Sequence, residues 1–299
     1  MGTGPRVYIT RRVPELVRGE LEQSFDVDVH DDELPPSRDA LVAGVAGCDG
    51  LVTMLTDRVD ADLLDAAGPR LRIVANYAVG LDNVDLDECA RRGIAVANTP
   101  DVLTDATAEM AIALMLALMR RVAEGDRFLR RQEPWLWAPT FMVGQGLASS
   151  TLGIVGYGRI GQAVARLAEA HGMTVIHSGE TALGELLATA DVVSLHVPLT
   201  RETRHLIARP ELKRMKPTAY LVNTSRGAVI DEQALAVALT HGVIAGAALD
   251  VFEREPDVEE ALLRMENVVV VPHLASATHV AREAMGMLCV DALRKALLT

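Results

Sequence analysis

Aromatic side chains, cysteines and basic residues are all scarce in this chain of 299 residues. Aromatic residues make up 3% of the sequence and hydrophobic residues 49%, so the interior must be built from Val, Ile, Leu, Ala and Met. That composition is typical of buried parallel strands covered by Ala- and Leu-rich helices. The formal net charge is -12, and without a basic excess we expect neither a nucleic-acid surface nor an anionic-membrane surface.

Paired cysteines and long apolar runs are absent from the sequence as well. Cys48, Cys89 and Cys289 are widely separated, and this spacing predicts neither a disulfide framework nor a metal site. The most apolar run, Ala111 to Met119, is far shorter than the roughly 20 residues of a membrane-spanning helix. The opening residues, MGTGPRVYIT, contain no apolar stretch of the signal-peptide kind. We therefore expect a protein of the reducing cytoplasm, with no membrane partner.

Short strand-like runs alternate with helical patterns in two series, and this alternation predicts an α/β fold with parallel sheets. Between the series, the Ala-, Leu- and Met-rich stretch from Thr104 to Arg131 predicts one long helix, too apolar for an ordinary surface helix. We expect it in the core between two domains and against a second subunit. The predicted strands are Arg6–Thr10, Asp26–His30, Gly50–Leu55, Arg72–Asn76, Ile94–Asn98, Leu152–Val155, Thr174–His177, Val192–His196, Ala219–Asn223, Ala245–Leu249 and Val268–Val271.

A glycine-rich turn, GYGRIG, follows the first strand of the second series and leads directly into a helical pattern. Glycines at this spacing allow a tight turn and a close approach of the backbone to a pyrophosphate, which the N–H groups of the helix start then face. The strand–turn–helix context favours dinucleotide binding over an ordinary turn that needed small residues. The candidate cofactor residues of this turn are Gly156, Gly158, Arg159, Ile160 and Gly161.

An acidic residue, Glu180, follows the next predicted strand, about twenty residues past the glycines. A carboxylate at this place accepts hydrogen bonds from ribose hydroxyls and repels a 2′-phosphate. Glu180 comes one or two residues later than the usual position, so a solvated loop residue is the open alternative. The sequence therefore favours NAD(H) as the cofactor and leaves NADP(H) possible.

Arg226, Glu255 and His273 come after the last three predicted strands, one residue to each strand. In an open parallel sheet, the carboxyl ends of the strands border the ligand crevice, and the glycine-rich turn opens at the same edge. Each residue alone could be ordinary: a surface arginine, a solvated glutamate or a structural histidine. At converging strand ends, the three together favour a functional site.

These three residue types suit the reduction of a 2-keto acid by hydride from a nicotinamide. An arginine can hold the substrate carboxylate in a bidentate fork and polarise the neighbouring carbonyl. A histidine can protonate the developing alkoxide, and a carboxylate bonded to it stabilises the imidazolium and fixes its orientation. We therefore assign substrate binding to Arg226, acid/base chemistry to His273 and the partner role to Glu255.

With these residues in place, the sequence resembles the D-2-hydroxyacid dehydrogenase family, and most closely its glyoxylate/hydroxypyruvate reductases. The resemblance covers nearly the whole chain. It implies NAD(P)-dependent reduction of a small 2-keto acid to the D-2-hydroxy acid. The segments that carry it are Ile9–Arg12 (ITRR), Asn76–Asp82 (NYAVGLD), Asn98–Thr104 (NTPDVLT), the glycine-rich turn, Asn223–Gly227 (NTSRG), Leu249–Pro256 (LDVFEREP) and Pro272–Thr278 (PHLASAT).

The resemblance also implies the domain organisation. We expect two Rossmann-like, doubly wound parallel-sheet domains with the active site in the cleft between them. The substrate-binding domain would be discontinuous, formed by residues 1–99 and 275–299, and the dinucleotide-binding domain would comprise residues 100–274. A homodimer formed through the cofactor domain is expected.

Further site residues are implied by the resemblance alone. The backbone N–H groups of Val79 and Gly80 would bind the substrate carboxylate opposite Arg226, and Leu55 would line the pocket. The other implied contacts are Thr107 near the cofactor phosphates, Asp250 on the nicotinamide carboxamide, and Trp137, which would close the site of the neighbouring subunit.

Two departures from the family pattern bear on the coenzyme. The similar NADP-using reductases carry an arginine where this chain has Glu180. The connection from Glu180 to Leu183 is also about a dozen residues shorter than expected for the family. Both departures favour NAD(H), and the short connection could leave the adenine end loosely held.

Other functions remain open from the sequence alone. The chain could be a D-3-phosphoglycerate or D-lactate dehydrogenase, whereas a formate dehydrogenase fits less well because that branch lacks a glutamate at the Glu255 position. A different class of alternative is a dinucleotide-sensing binding protein, since some relatives are transcriptional corepressors that keep the fold. The physiological keto acid stays undetermined, because pockets discriminate such small groups by only about 1–3 kcal/mol.

Overall fold

The computed structural model describes residues 4–299, which divide into two compact units. The first unit runs to Leu103 and resumes with Ala277–Thr299, and the second unit is Thr104–Ser276. The boundaries predicted from the sequence fall after residues 99 and 274. The observed first boundary lies later because Thr104 begins a helix that packs within the second unit.

The strands and helices alternate along most of the chain, as the α/β pattern of the sequence predicts. The strands are β1 (Arg6–Ile9), β2 (Asp26–Val29), β3 (Gly50–Thr53), β4 (Ile73–Asn76), β5 (Ala95–Ala97), β6 (Thr151–Val155), β7 (Thr174–His177), β8 (Val192–Leu195), β9 (Tyr220–Asn223), β10 (Gly246–Leu249) and β11 (Val268–Val270). The helices are α1 (Glu15–Glu22), α2 (Arg38–Val45), α3 (Ala61–Ala67), α4 (Leu86–Arg91), α5 (Thr104–Met119), α6 (Val122–Arg130), α7 (Arg159–Ala170), α8 (Leu183–Thr189), α9 (Arg209–Leu212), α10 (Glu232–Thr240), α11 (Glu260–Leu263) and α12 (His279–Leu297).

The first unit is built on a parallel sheet with the strand order β2-β1-β3-β4-β5. Helix α12 returns to this sheet from the far end of the sequence. A Cβ at Gly50 in β3 would come within 2.6 Å of Leu293, so α12 packs directly on the strand. The Arg294 guanidinium also pairs with the Glu20 carboxylate of α1 at 2.8 Å. The last helix thus completes the core of the unit that contains the first strands.

The second unit contains a parallel sheet with the order β11-β10-β9-β8-β6-β7. One face is covered by α5 and α7 and the other by α8, α9 and α10, each over its own apolar cluster. Strands β8 and β10 are buried along their whole length, which explains their Val-, Leu- and Ala-rich sequences. The predicted fold class of doubly wound parallel sheets is therefore confirmed for each unit.

The long helix predicted from Thr104 to Arg131 is wrong in one respect, because the structure breaks it into α5 and α6. At the break, Arg121 has a left-handed backbone (φ 56°), and its guanidinium binds the Glu124 carboxylate at 2.6 and 2.7 Å. The Met119 carbonyl, released from the helix, accepts the N–H of Gln145 at 2.8 Å. These partners come from side chains and from a distant loop, so helical periodicity did not predict them.

Two expectations from composition concern membranes and cysteines. Within residues 4–299, none of the helices combines the length and apolarity needed to cross a bilayer. Cys48, Cys89 and Cys289 are free thiols buried in the first unit. Burial raises the pKa of Cys48 to about 11 and that of Cys289 to about 12, so both thiols are protonated at neutral pH.

Candidate active site

Arg226, Glu255 and His273 follow β9, β10 and β11, which are neighbouring strands in the sheet of the second unit. The register pairs Asn223 with Leu249 and Leu249 with Val270, so the three strands end side by side. Parallel strands direct their carboxyl ends to the same edge, and the loops after them therefore start from one place. The sheet edge at which the sequence predicted these three residues is therefore formed by three neighbouring strands.

His273 and Glu255 form a hydrogen-bonded pair, with Nδ1 of His273 2.9 Å from Oε2 of Glu255. The other carboxylate oxygen accepts the N–H of Phe252 at 3.0 Å. Burial favours a higher pKa for Glu255, but the hydrogen bond and charge of His273, the Phe252 N–H and the charge of Arg226 together hold the pKa below its ordinary value. Glu255 is therefore an ionised carboxylate at neutral pH.

The loop that carries His273 is held by the carboxylate of Asp250, which is fully buried. Its two oxygens accept the N–H groups of Leu274 and Ala275, and its carbonyl accepts the N–H of His273 at 2.8 Å. His273 has a left-handed backbone (φ 53°), a conformation that these bonds stabilise. Burial raises the pKa of Asp250, opposed by the two N–H donors. Asp250, expected at the nicotinamide from the resemblance, thus positions His273.

Arg226 lies in a turn closed by the side chain of Asn223. The Asn223 amide donates to the Arg226 carbonyl at 2.9 Å, and its oxygen accepts the N–H and O–H of Ser225. At the next residue, a Cβ on Gly227 would lie 1.8 Å from the carbonyl carbon of Phe252. The backbone that bears Arg226 therefore packs directly against the loop that bears Glu255, and only glycine permits this approach.

A second histidine, His196, follows β8 at the same edge of the sheet, but its surroundings differ from those of His273. Its Nε2 is hydrogen-bonded to Ser194 Oγ at 2.8 Å, and burial lowers its pKa to about 4. His196 is therefore neutral at physiological pH, and within residues 4–299 it has no carboxylate partner of the kind that stabilises an imidazolium. Of these two strand-end histidines, His273 has the environment of an acid/base.

The glycine-rich turn has the geometry of a phosphate cradle at the start of α7. A Cβ at Gly156 (φ 99°) would meet the His196 carbonyl at 2.6 Å, and one at Gly161 would meet the Gly156 carbonyl at 2.2 Å. At Gly158, the N-cap of α7, a Cβ would meet nothing within 4 Å. The first and third glycines thus serve close packing, and the second leaves open space at the start of α7, as a pyrophosphate site requires. Arg159 and Ile160 begin the helix.

An unsatisfied polar atom also lies after β9. Among the described residues, the buried hydroxyl of Thr224 has no hydrogen-bond partner. Buried hydroxyls in folded proteins are nearly always paired, so this one is suited to a ligand. Together with the open space at Gly158, it indicates that the residues present fit a dinucleotide.

The predicted ribose ligand, Glu180, is exposed, with 81% of its side chain accessible. Its carboxylate lies 3.7 Å from Nε2 of His177, and the His177 ring stacks on Tyr157 of the glycine-rich turn at 3.6 Å. The Ser178 hydroxyl accepts the N–H of Gly156 at 3.0 Å. The end of β7 is thus fastened to the turn by residues that the sequence analysis missed. In the sequence, the only indication of these residues was their position next to the glycines or next to the end of the strand.

Of the remaining residues implied by the resemblance, two lie in the second unit and three in the first. Thr107 is buried in α5, and Trp137 is 76% exposed in the segment after α6. In the first unit, the chain turns at Leu55 after β3 and at Val79 and Gly80 after β4.

The Val79–Gly80 turn is held by asparagines whose role the sequence did not indicate. Asn98 donates to the Val79 carbonyl at 2.8 Å, and Asn76 donates to the Gly80 carbonyl at 2.9 Å. Asn83 bonds to Asn76 and to the Met54 carbonyl, next to Leu55. The two turns of the first unit are therefore joined by one amide network.

Comparisons with known proteins identify the family of this chain. The family profile described as the D-isomer specific 2-hydroxyacid dehydrogenase, NAD binding domain, matches residues 112–275. The glyoxylate reductase of Thermococcus litoralis is 49% identical over 303 residues, covering 95% of this chain and 91% of that protein.

Solved structures give the same result. A protein from Thermus thermophilus superposes with a TM-score of 0.90 at 42% identity, covering 96% of this chain and 94% of that one. The NADPH-dependent glyoxylate/hydroxypyruvate reductase of Sinorhizobium meliloti, solved with NADP and malonate, has a TM-score of 0.82 at 35% identity, covering 98% of this chain and 93% of that one.

Proposed function

The chain belongs to the D-isomer specific 2-hydroxyacid dehydrogenase family and is an NAD(P)-dependent oxidoreductase, and on that premise we propose that it reduces a small 2-keto acid, either glyoxylate to glycolate or hydroxypyruvate to the D-2-hydroxy acid. The observation that carries the proposal is the His273–Glu255 pair, 2.9 Å apart, at the ends of β11 and β10. The names of the relatives support a small keto acid as the substrate class.

His273 is the proposed acid/base. A carboxylate only accepts hydrogen bonds, so the bond to Glu255 keeps the proton on Nδ1 and leaves Nε2 to donate to the substrate oxygen. Protonation of Nε2 gives an imidazolium, which the ionised Glu255 stabilises. The hydride that the reduction consumes comes from the reduced nicotinamide when it is bound. After donation, His273 is neutral and regains a proton from solvent.

Arg226 is the proposed ligand of the substrate carboxylate. A guanidinium matches a carboxylate with two parallel hydrogen bonds. The Asn223 turn and the Gly227 contact hold the Arg226 backbone, so the binding group is positioned before the substrate arrives. For the first unit, we assign substrate binding to the backbone N–H groups of Val79 and Gly80 and to the Leu55 side chain.

The proposed cofactor residues are the glycine-rich turn with Arg159 and Ile160, together with Thr107, Asp250 and Glu180. NAD(H) is the proposed coenzyme because the Glu180 carboxylate would repel a 2′-phosphate. The Sinorhizobium meliloti relative is NADPH-dependent, so the preference of this chain must be measured.

A homodimer is part of the proposal. The segment after α6 exposes Trp135, Leu136 and Trp137, with 58%, 84% and 76% of each residue accessible. Adjacent exposed aromatic and aliphatic side chains are typical of subunit contacts. Trp137 is proposed to close the site of the partner subunit. We also assign the reaction to the cytoplasm, since the three cysteines are free thiols, the state that a reducing compartment maintains.

The experiment that tests the function is initial-rate reduction of glyoxylate and of hydroxypyruvate, with NADH and NADPH compared at neutral pH. Turnover of either acid, with a D-configured product from hydroxypyruvate, supports the proposal. Pyruvate and 3-phosphohydroxypyruvate serve as comparison substrates, and a higher kcat/KM with one of them would reassign the enzyme to D-lactate or D-3-phosphoglycerate chemistry. Coenzyme binding without turnover of any keto acid would favour a dinucleotide-sensing protein instead.

A further inference from the structure

The loop after β10 offers two consecutive peptide N–H groups to two different carboxylates. The Phe252 N–H donates to Oε1 of Glu255 at 3.0 Å, and the Glu253 N–H donates to Oε1 of Glu232. Glu255 is the proposed partner of His273, whereas Glu232 has no part in the mechanism above. Phe252 thus links the peptide that binds the acid/base pair to the next peptide, which binds a second carboxylate outside the pair.

Glu232 is the first residue of α10 and is only 5% exposed. Ionisable side chains are rarely buried to this degree unless a specific arrangement holds them. The helix does not need Glu232 as its cap, because Asp231 already accepts the N–H of Ala234 at 2.9 Å. The buried carboxylate therefore serves something other than the start of α10.

The surroundings of Glu232 disfavour the ionised form of its carboxylate. Burial and the nearby charge of Glu253 raise the pKa of Glu232, opposed by the N–H groups of Glu253 and Glu259 and by the charge of Arg254. A leucine of similar size would avoid that cost but would leave the Glu253 N–H without an acceptor. The hydrogen bond to the loop is what the glutamate adds.

The same loop is held by two other contacts. The Glu253 carboxylate accepts hydrogen bonds from Arg204 at 2.9 Å and from Nε2 of His205 at 2.8 Å. Gly227 lies so close to Phe252 and Glu253 that no side chain fits there. These contacts hold the loop in place. The Glu232 carboxylate accepts the N–H of Glu253, directly after the Phe252 N–H that binds Glu255.

We propose that Glu232 is a positioning residue for this enzyme: its buried carboxylate fixes the Phe252–Glu253 peptide and thereby directs the Glu255 carboxylate at Nδ1 of His273. The inference rests on the proposed function for its kinetic consequence. Its structural consequence, the proton on Nδ1, holds whatever the substrate is. Glu232 itself contacts neither substrate nor cofactor in this proposal.

The test compares Glu232→Ala, Glu232→Asp and Glu232→Gln. Alanine removes the acceptor, aspartate retracts the charge by one methylene, and glutamine keeps an oxygen that accepts the Glu253 N–H. We expect kcat for NADH-dependent glyoxylate reduction to fall about ten- to a hundredfold in the alanine and aspartate variants, because small misplacements of catalytic groups cost that much. We expect the glutamine variant to stay within about threefold of the wild type.

The readout specific to positioning is the 15N NMR spectrum of the histidine imidazoles, with His273 assigned from a His273→Gln sample. The wild type and Glu232→Gln should show the Nδ1–H form of His273, and the alanine and aspartate variants should lose it. NADH affinity should be unchanged in all of them. Gln233→Ala, at the neighbouring exposed position, is the matched control. If Glu232→Ala unfolds, Glu232→Asp carries the test, since aspartate is well tolerated in the first turn of a helix.

The outcomes separate the two proposals. Retention of the Nδ1–H form together with near-normal kcat in the alanine and aspartate variants would overturn the role of Glu232. Loss of that form in a protein whose wild type reduces no keto acid would overturn the proposed function and leave the positioning role standing.

Discussion

Glu255 and His273 each occupy a fixed place because backbone groups hold both of them. The Phe252 N–H holds one oxygen of Glu255, and the Asp250 carbonyl holds the N–H of His273. The pair therefore needs little rearrangement when a substrate binds, and such preorganisation is a large contribution to catalysis in general. Because His273 is held in this arrangement, we expect its replacement to impair catalysis.

His273→Gln should lower kcat by roughly a hundredfold to ten-thousandfold, because general acid/base groups contribute that much. NADH affinity, measured by fluorescence titration, should stay unchanged, since glutamine keeps the size of the side chain. His241→Gln, at an exposed position after α10, is the control and should retain full activity. Near-normal turnover of the His273 variant would remove this residue from the mechanism.

Glu180→Arg tests the coenzyme assignment. If the carboxylate faces the ribose, the ratio of kcat/KM for NADPH to that for NADH should rise about ten- to a hundredfold, since a charge-assisted hydrogen bond to phosphate is worth about 1.5–3 kcal/mol. Glu185→Arg makes the same charge change at an exposed position of α8. An equal rise in both variants would mean that only net charge matters, and no rise in either would place Glu180 outside the pocket.

The sequence predicted that Arg226, Glu255 and His273 lie at strand ends, because strands and loops alternate clearly in the second series. It did not predict what holds them. The Asp250 carboxylate accepts hydrogen bonds from Leu274 and Ala275, and the Glu232 carboxylate accepts one from Glu253, so these bonds join residues about twenty positions apart. Such pairs depend on tertiary packing and leave no local pattern.

At the scale of the elements, the contact between the loops after β9 and β10 leaves no room for a side chain at Gly227. Gly227→Ala would force a methyl group into the peptide of Phe252, so the loops must separate. We expect a loss of about 1–3 kcal/mol in the free energy of unfolding, as for other overpacked sites, and a fall in kcat. Urea denaturation and steady-state rates measure the two effects.

The control for Gly227→Ala is Gly125→Ala in α6, where a Cβ would meet no atom within 4 Å. Alanine there should stabilise the helix by about 0.5–1 kcal/mol. Equal effects of the two substitutions would contradict the packing argument.

Element boundaries show the limit of periodicity. The predicted strand Thr174–His177 matches β7 at both ends, since a turn follows it directly. The helix predicted through Arg131 stops at Met119, because Arg121 adopts a left-handed backbone and bonds to Glu124. A hydrophobic pattern identifies the buried face of a helix, but the break depends on side-chain bonds that the pattern does not contain.

At the scale of the whole molecule, paired carboxylates predict the acid sensitivity of the fold. Burial favours a higher pKa for Asp191, but the Lys216 ammonium at 2.8 Å and the Thr151 N–H hold its pKa below the usual 3.8. A lowered folded-state pKa stabilises the fold above the unfolded-state value, and that contribution is lost as pH falls through the folded-state value.

We therefore expect the free energy of unfolding, measured with urea, to keep this contribution at neutral pH and to decrease as the pH falls below about 4. Asp191→Asn should reduce this slope, and Lys216→Met should reduce it similarly by removing the partner charge. A pH-independent free energy over this range would contradict the assignment.

The proposed dimer is also tested on the whole molecule. Sedimentation equilibrium should give twice the chain mass of 32.1 kDa, and the double variant Trp135→Ser with Trp137→Ser should shift the protein towards monomer. Leu34→Ser, which removes a similarly exposed apolar side chain from the first unit, should leave the mass unchanged. A wild-type monomer, or a double variant that stays dimeric, would reject this segment as the interface.

The return of α12 to the first unit affects how a nascent chain acquires its structure on the ribosome. The strands that α12 covers are translated early, yet roughly 180 residues separate β5 from α12. At about 5–20 residues per second, this interval lasts roughly ten to forty seconds. The second unit is synthesised during that time, while the β3 face contacted by Leu293 waits for its cover. We expect chaperones to act mainly on the strands of the first unit, which are synthesised first.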